Sequence, residues 1–168
     1  GRWKFQVGAV SRPAPGQTFV RWKPGGLYNA MMAPGFGYGI KGVIWYQGES
    51  NTDNAPEYKL KLKDLLQSLR AGWQNQKLPF LVVQLPNFMQ QSWDANAASS
   101  WAALRDAQSS ILSEQGTAMA VTIGLGEWND VHPYDKQPVG KRLFLLAQDM
   151  CYSGADFSGS QMVPAHHS

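Results

Sequence analysis

With 168 residues, 43% of them hydrophobic, the chain can bury one core and is too short for two domains of ordinary size. Its net charge of +3 comes from Lys and Arg scattered singly among acids, with no basic block or basic helical stripe, which excludes a nucleic-acid partner. Cys151 is the single cysteine, no Cys/His spacing fits a metal site, and no apolar run approaches the roughly 20 residues of a membrane span, so neither an internal disulfide, nor a structural zinc, nor a membrane partner is expected.

In chain order, residues 1–24 are rich in Pro, Gly and Arg and read as an irregular lead-in segment. The opening Gly1-Arg2-Trp3-Lys4 is neither a Met nor a charged-then-apolar leader, which leads us to expect a chain that begins inside a longer protein. Residues 27–32 suit a short helix ended by Pro34 and Gly35. Three continuous apolar runs, 42–46 (GVIWY), 80–85 (FLVVQL) and 118–123 (AMAVTI), have the composition of strands covered on both faces of a parallel sheet.

A helical period follows each run. After the first it is carried by Tyr58, Leu62, Leu65, Leu66, Leu69 and Trp73, with Pro56 near the start and Gly72 near the end. After the second it is carried by Trp101, Leu104, Gln108, Ile111 and Leu112, and after the third by Val139, Leu143, Leu146 and Met150. The Ser- and Gly-rich stretch 152–168, with His166 and His167 near its end, reads as a tail or linker to a further domain. No internal repeat is present.

The βαβαβα alternation predicts an α/β fold with a doubly wound parallel sheet over residues 25–151, its functional groups in the loops that leave the carboxyl ends of the strands. Those loops are 47–55, 86–99 and 124–138. Three strands make a thin sheet, because such sheets commonly have about five, so an edge is expected to be incomplete.

The first loop reads Gln47-Gly48-Glu49-Ser50-Asn51, in which a glycine permits close backbone approach and two amides and a carboxylate gather at one strand end. The third reads Gly126-Glu127-Trp128-Asn129-Asp130-Val131-His132-Pro133, followed by Lys136. A histidine with carboxylates two and five residues upstream can be oriented through one ring nitrogen and accept a proton at the other, as nucleophilic hydrolysis demands. The partner hydroxyl is not evident: Ser50 lies in Gly-Glu-Ser-Asn rather than a Gly-x-Ser-x-Gly elbow, and Gly16-Gln17-Thr18 does not follow a buried strand.

Four stretches taken together carry a resemblance: Gly26-Leu27-Tyr28-Asn29-Ala30-Met31, then Lys41-Gly42-Val43-Ile44-Trp45-Tyr46-Gln47-Gly48-Glu49-Ser50-Asn51, then Trp101 through Gln108, then Asn129-Asp130-Val131-His132-Pro133 with Lys136. In this order they resemble the sialate O-acetylesterases and related acetylxylan esterases of the SGNH hydrolase superfamily. The resemblance implies a flavodoxin-like three-layer α/β/α SGNH domain, here its C-terminal portion, and a carbohydrate O-acetylesterase that uses a Ser-His-Asp type mechanism without a cofactor or metal.

It also implies a nucleophilic serine in a Gly-Gln-Ser-Asn motif well upstream. No such motif occurs in the chain, so an upstream segment or companion chain is expected to supply it. By the same resemblance His132 is the general base, Gln47 the oxyanion donor, and Gly48, Glu49, Asn51 and Arg105 supporting or substrate-binding residues. The family's Asp position is Asn129 here, which leaves Asp130, or alternatively Glu127, to orient His132. Expected partners are an acetylated carbohydrate and the serine-bearing segment, and the expected location is periplasmic or secreted. A non-catalytic carbohydrate-binding or interaction module of the same fold is the alternative reading, and an enzyme that uses Ser50 as nucleophile is another.

Overall fold

The computed structural model describes residues 4, 6–10, 12, 23–94 and 96–152. Gly16-Gln17-Thr18, most of the lead-in segment, and the tail beyond Tyr152 with His166 and His167 lie outside the described residues. The chain divides into two compact units, Gly1–Gly35 and Phe36–Ser168.

In the first unit a π-type turn covers Tyr28–Met32, and the chain runs on through a 3-10 turn over Ala33–Gly37. The short helix was expected to end at Pro34 and Gly35. The backbone instead keeps turning through both, because a proline early in a new 3-10 turn has no N–H that needs a partner.

Among its described residues the second unit holds three parallel strands, β1 (Val43–Trp45), β2 (Phe80–Val83) and β3 (Thr117–Ala120), in the order β1-β2-β3. Between and after them run α1 (Ala55–Gly72), α2 (Ser100–Ser109) and α3 (Gln137–Ala147). Register pairs Val43 with Phe80 and Phe80 with Thr117.

Alternation along the strands divides the core in two. Phe80, Val82 and Met119 face Tyr58, Leu62, Leu66 and Leu69 of α1 and Trp101 and Leu104 of α2. Leu81, Ala118 and Ala120 face Leu146 on α3. The result is a three-layer α/β/α arrangement, as expected. Helix starts are capped locally: Asn54 Oδ1 accepts from Glu57 N with proline at the first turn of α1, and Ser99 Oγ accepts from Ala102 N at α2.

One expectation about the strands needs correcting. β2 and β3 are buried throughout, but β1 is not, and Ile44 is 57% exposed. Ile44 pairs with Leu81 and so shares the α3 face, yet α3 packs on β2 and β3. The edge strand is therefore apolar on a face that no described element covers. Among the described residues, no helix is long and apolar enough to cross a membrane.

Candidate active site

Gln47 and Gly48 leave β1 through a turn pinned from several sides. The Gln47 carbonyl accepts from the Tyr58 hydroxyl at 2.9 Å and from Gln108 Nε2 at 3.1 Å. Burial raises the Tyr58 phenol pKa above its ordinary value, only partly opposed by hydrogen bonds with Trp45 and Gln108, so the hydroxyl stays a donor. The Gln47 side chain donates through Nε2 to Asn51 Oδ1 at 2.7 Å, leaving the second N–H of that amide for another acceptor.

Gly48 has φ 151° and is buried. A Cβ there would lie 2.8 Å from Leu104 Cδ2 and 3.3 Å from Gln108 Nε2. The close approach that the glycine permits is thus to α2. Its amide donates to Glu49 Oε2 at 3.0 Å and its carbonyl accepts from Asn51 N at 2.8 Å, so Glu49 and Asn51 both brace the turn.

The loop after β3 is held against the loop after β2 by a residue that the sequence reading did not single out. Asn87 Oδ1 accepts from Gly124 N and Gly126 N, each at 3.0 Å, and Met89 N donates to Trp128 O at 3.0 Å. At Gly126 any Cβ would collide with the Asn87 backbone, so this crossing requires glycine. The available signal was an amide one residue past Pro86 at a strand's carboxyl end; its partners, 37 and 39 residues away, were not legible.

Within the β3 loop, Asp130 Oδ1 accepts from the backbone amide of His132 at 2.7 Å, and Glu127 Oε1 accepts from Tyr134 N at 3.1 Å. Among the described residues neither carboxylate hydrogen-bonds the His132 ring. Both instead shape the backbone on either side of it, with His132 exposed, Pro133 buried, and Val131 packed on the main core. Lys136 brings this loop to the end of β1, its Nζ lying 5.6 Å from the centre of the Tyr46 ring.

Arg105, on α2, is half-buried with its pKa lowered by burial, and among the described residues it has no carboxylate partner. Ser50 lies in the 3-10 turn Glu49–Asn54. No cluster of His, Cys, Asp or Glu among the described residues could hold a metal ion.

Chemically, the loops at the carboxyl ends of β3 and β1 carry an imidazole and an amide donor, two of the group types that acyl transfer uses.

Comparison with known proteins shows the family and fold. Residues 3–151 match the family described as carbohydrate esterase, sialic acid-specific acetylesterase. The chain is 32% identical over 144 residues to the sialate O-acetylesterase of Mus musculus, and 33% identical over 141 residues to that of Homo sapiens. Each match covers 75% of this chain, and 26% and 27% of those proteins respectively. A crystal structure of a carbohydrate acetylesterase from Xanthomonas citri superposes with a TM-score of 0.69 at 42% identity, covering 75% of this chain and 29% of that one. The chain thus spans about a quarter of the length of the curated relatives it matches.

Proposed function

The chain belongs to the sialic acid-specific acetylesterase family of carbohydrate esterases, and from that premise we propose that it supplies the acid–base half of an enzyme that hydrolyses acetyl esters on sugar hydroxyls. The attacking serine comes from polypeptide outside these 168 residues, as an upstream segment or a companion chain. The incomplete β1 edge supports this reading, since it offers a place for further strands.

His132 takes the serine proton as Oγ bonds to the acetyl carbonyl carbon, and the free N–H of Gln47 donates to the oxyanion. Such a donor is worth about 3 kcal/mol of barrier. His132 then returns the proton to the departing sugar oxygen as the ester C–O bond breaks. Water, deprotonated by the same imidazole, adds to the acetyl carbon, and the imidazolium gives that proton to the serine Oγ as the C–Oγ bond breaks and acetate leaves. Asp130 holds the His132 backbone amide and Glu127 the Tyr134 amide, so the orientation they give the imidazole in this reading comes through the backbone that carries it. Asn51 aims the Gln47 amide, Gly48 and Glu49 shape its turn, and Arg105, half-buried on α2, is a further supporting or substrate-binding residue. We also propose export to the periplasm or the cell exterior, where acetylated glycans are met.

The observation that carries the proposal is the joining of the three loops, through Asn87 and through Lys136 over Tyr46, at one end of the sheet. In the complete polypeptide, His132→Ala is expected to lower kcat/KM on p-nitrophenyl acetate by about 1,000-fold or more. Unchanged turnover would remove His132 from the mechanism.

A second reading, a non-catalytic carbohydrate-binding module, is favoured by the exposure of Trp93 and Tyr134, 89% and 85%, on the same loops. Sugar binding by the complete polypeptide with no ester turnover would select it.

A further inference from the structure

We propose that Gln108 is a positioning residue, holding the Gln47–Gly48 turn against α2 so that the Gln47 amide stands ready for the oxyanion. The inference deepens the esterase reading and rests on it for the role of Gln47.

Gln108 is fully buried, yet each end of its amide has a partner. Oε1 accepts from Leu85 N at 2.9 Å, and Nε2 donates to Gln47 O at 3.1 Å and to Val83 O at 3.4 Å. One side chain of α2 thus bridges the carboxyl ends of β1 and β2, linking positions 61 residues apart. A hydrophobic residue of equal length would fill the same space. What the amide adds is a donor that fixes the plane of the peptide between Gln47 and Gly48.

The Tyr58 hydroxyl, itself 3.4 Å from Trp45 Nε1, holds the same carbonyl, so the plane is defined by two donors on different helices. Gly48 permits this contact by lacking a Cβ on the side facing Gln108 and Leu104. Releasing that carbonyl would let the backbone at Gln47 shift away from α1 and α2, and the side chain it carries would shift with it. An oxyanion donor works only within a few tenths of an ångström of its place, and a displacement of about 1 Å can lower the rate about 100-fold.

The test compares Gln108→Met and Gln108→Glu with the parent in the complete polypeptide. Gln108→Met removes both halves of the amide at nearly constant volume. Gln108→Glu retains the acceptor for Leu85 N and, when ionised, removes the donor to Gln47 O. Both are expected to lower kcat on p-nitrophenyl acetate by about 10- to 100-fold while KM stays within about twofold.

In Gln108→Glu the ratio of variant to parent kcat is expected to rise as pH falls, because a protonated carboxyl regains an O–H donor. Amide exchange of residues 47–51 is expected to quicken in both variants while residues 80–83 and 117–120 keep their protection. A kcat within about twofold of the parent in a folded variant would overturn the inference. So would unchanged loop exchange, or equal loss of protection in the strands, which would make the role one of global stability. A parent without ester turnover overturns the esterase reading instead, and the exchange comparison still decides whether Gln108 holds the turn. Should Gln108→Met fail to fold, Gln108→Glu decides the matter alone.

Discussion

At the scale of single residues, Gly48 combines a backbone angle and a contact that no other residue satisfies together. Its φ of 151° is one that L side chains rarely adopt, and the space a Cβ would enter holds Leu104. Gly48→Ala is expected to destabilise the fold by about 2 kcal/mol, measured by chemical denaturation. It should also push the turn away from α2 and lower esterase turnover of the complete polypeptide. Loss of activity with unchanged stability would separate these effects and argue against the packing explanation. The sequence pointed to Gly48 as a place of close approach, but the approaching group belongs to a helix some 60 residues on, as the pairing of Gln108 with Gln47 records. The importance of Gln108 was hidden for a related reason: within α2 it fits the apolar period and looks like core, and its polarity acquires meaning only from the Gln47 carbonyl and the end of β2.

At the scale of elements, Arg70 closes the end of the sheet opposite the candidate site. It is buried on α1, donates through Nε and Nη2 to Leu78 O at 3.2 and 3.1 Å, and through Nη2 to Gln115 O at 2.6 Å. These carbonyls lie where the chain enters β2 and β3, so one guanidinium ties α1 to both strand starts. Arg70→Met would fill part of the volume and leave the carbonyls without their charged donor. The expected cost is about 3 kcal/mol, seen as a lower urea midpoint at constant slope. A midpoint unchanged from the parent would mean that solvent replaces the bonds. The three helices were legible from their apolar spacing, with Pro56 near the start of the first, whereas the caps Asn54 and Ser99 emerged only with the structure, in bonds between residues three apart. The strands were legible in order and type, but burial of β1 was overestimated, since an apolar run states what a strand could bury and not what is present to cover it.

At the scale of the whole molecule, β1 is an edge strand that, among the described residues, pairs on one side only, and Ile44 adds exposed apolar surface to its unpaired backbone. Such an edge is a template for intermolecular pairing. The 168-residue chain expressed by itself is expected to self-associate, and Ile44→Lys to shift it towards monomer in light scattering. Equal masses for the two would show that the edge is already protected. The α/β class, the order of strands and helices and the loops that gather at one end of the sheet followed from the sequence alone, because hydrophobic period and turn chemistry act between near neighbours. Tertiary structure decided what those loops do to one another: Asn87 joining two of them, Gln108 and Tyr58 gripping the Gln47 carbonyl, and the carboxylates of Asp130 and Glu127 turning to backbone amides. The reason is that a polar side chain has several satisfactory partners in any sequence, and the folded backbone determines which of them comes within hydrogen-bonding distance.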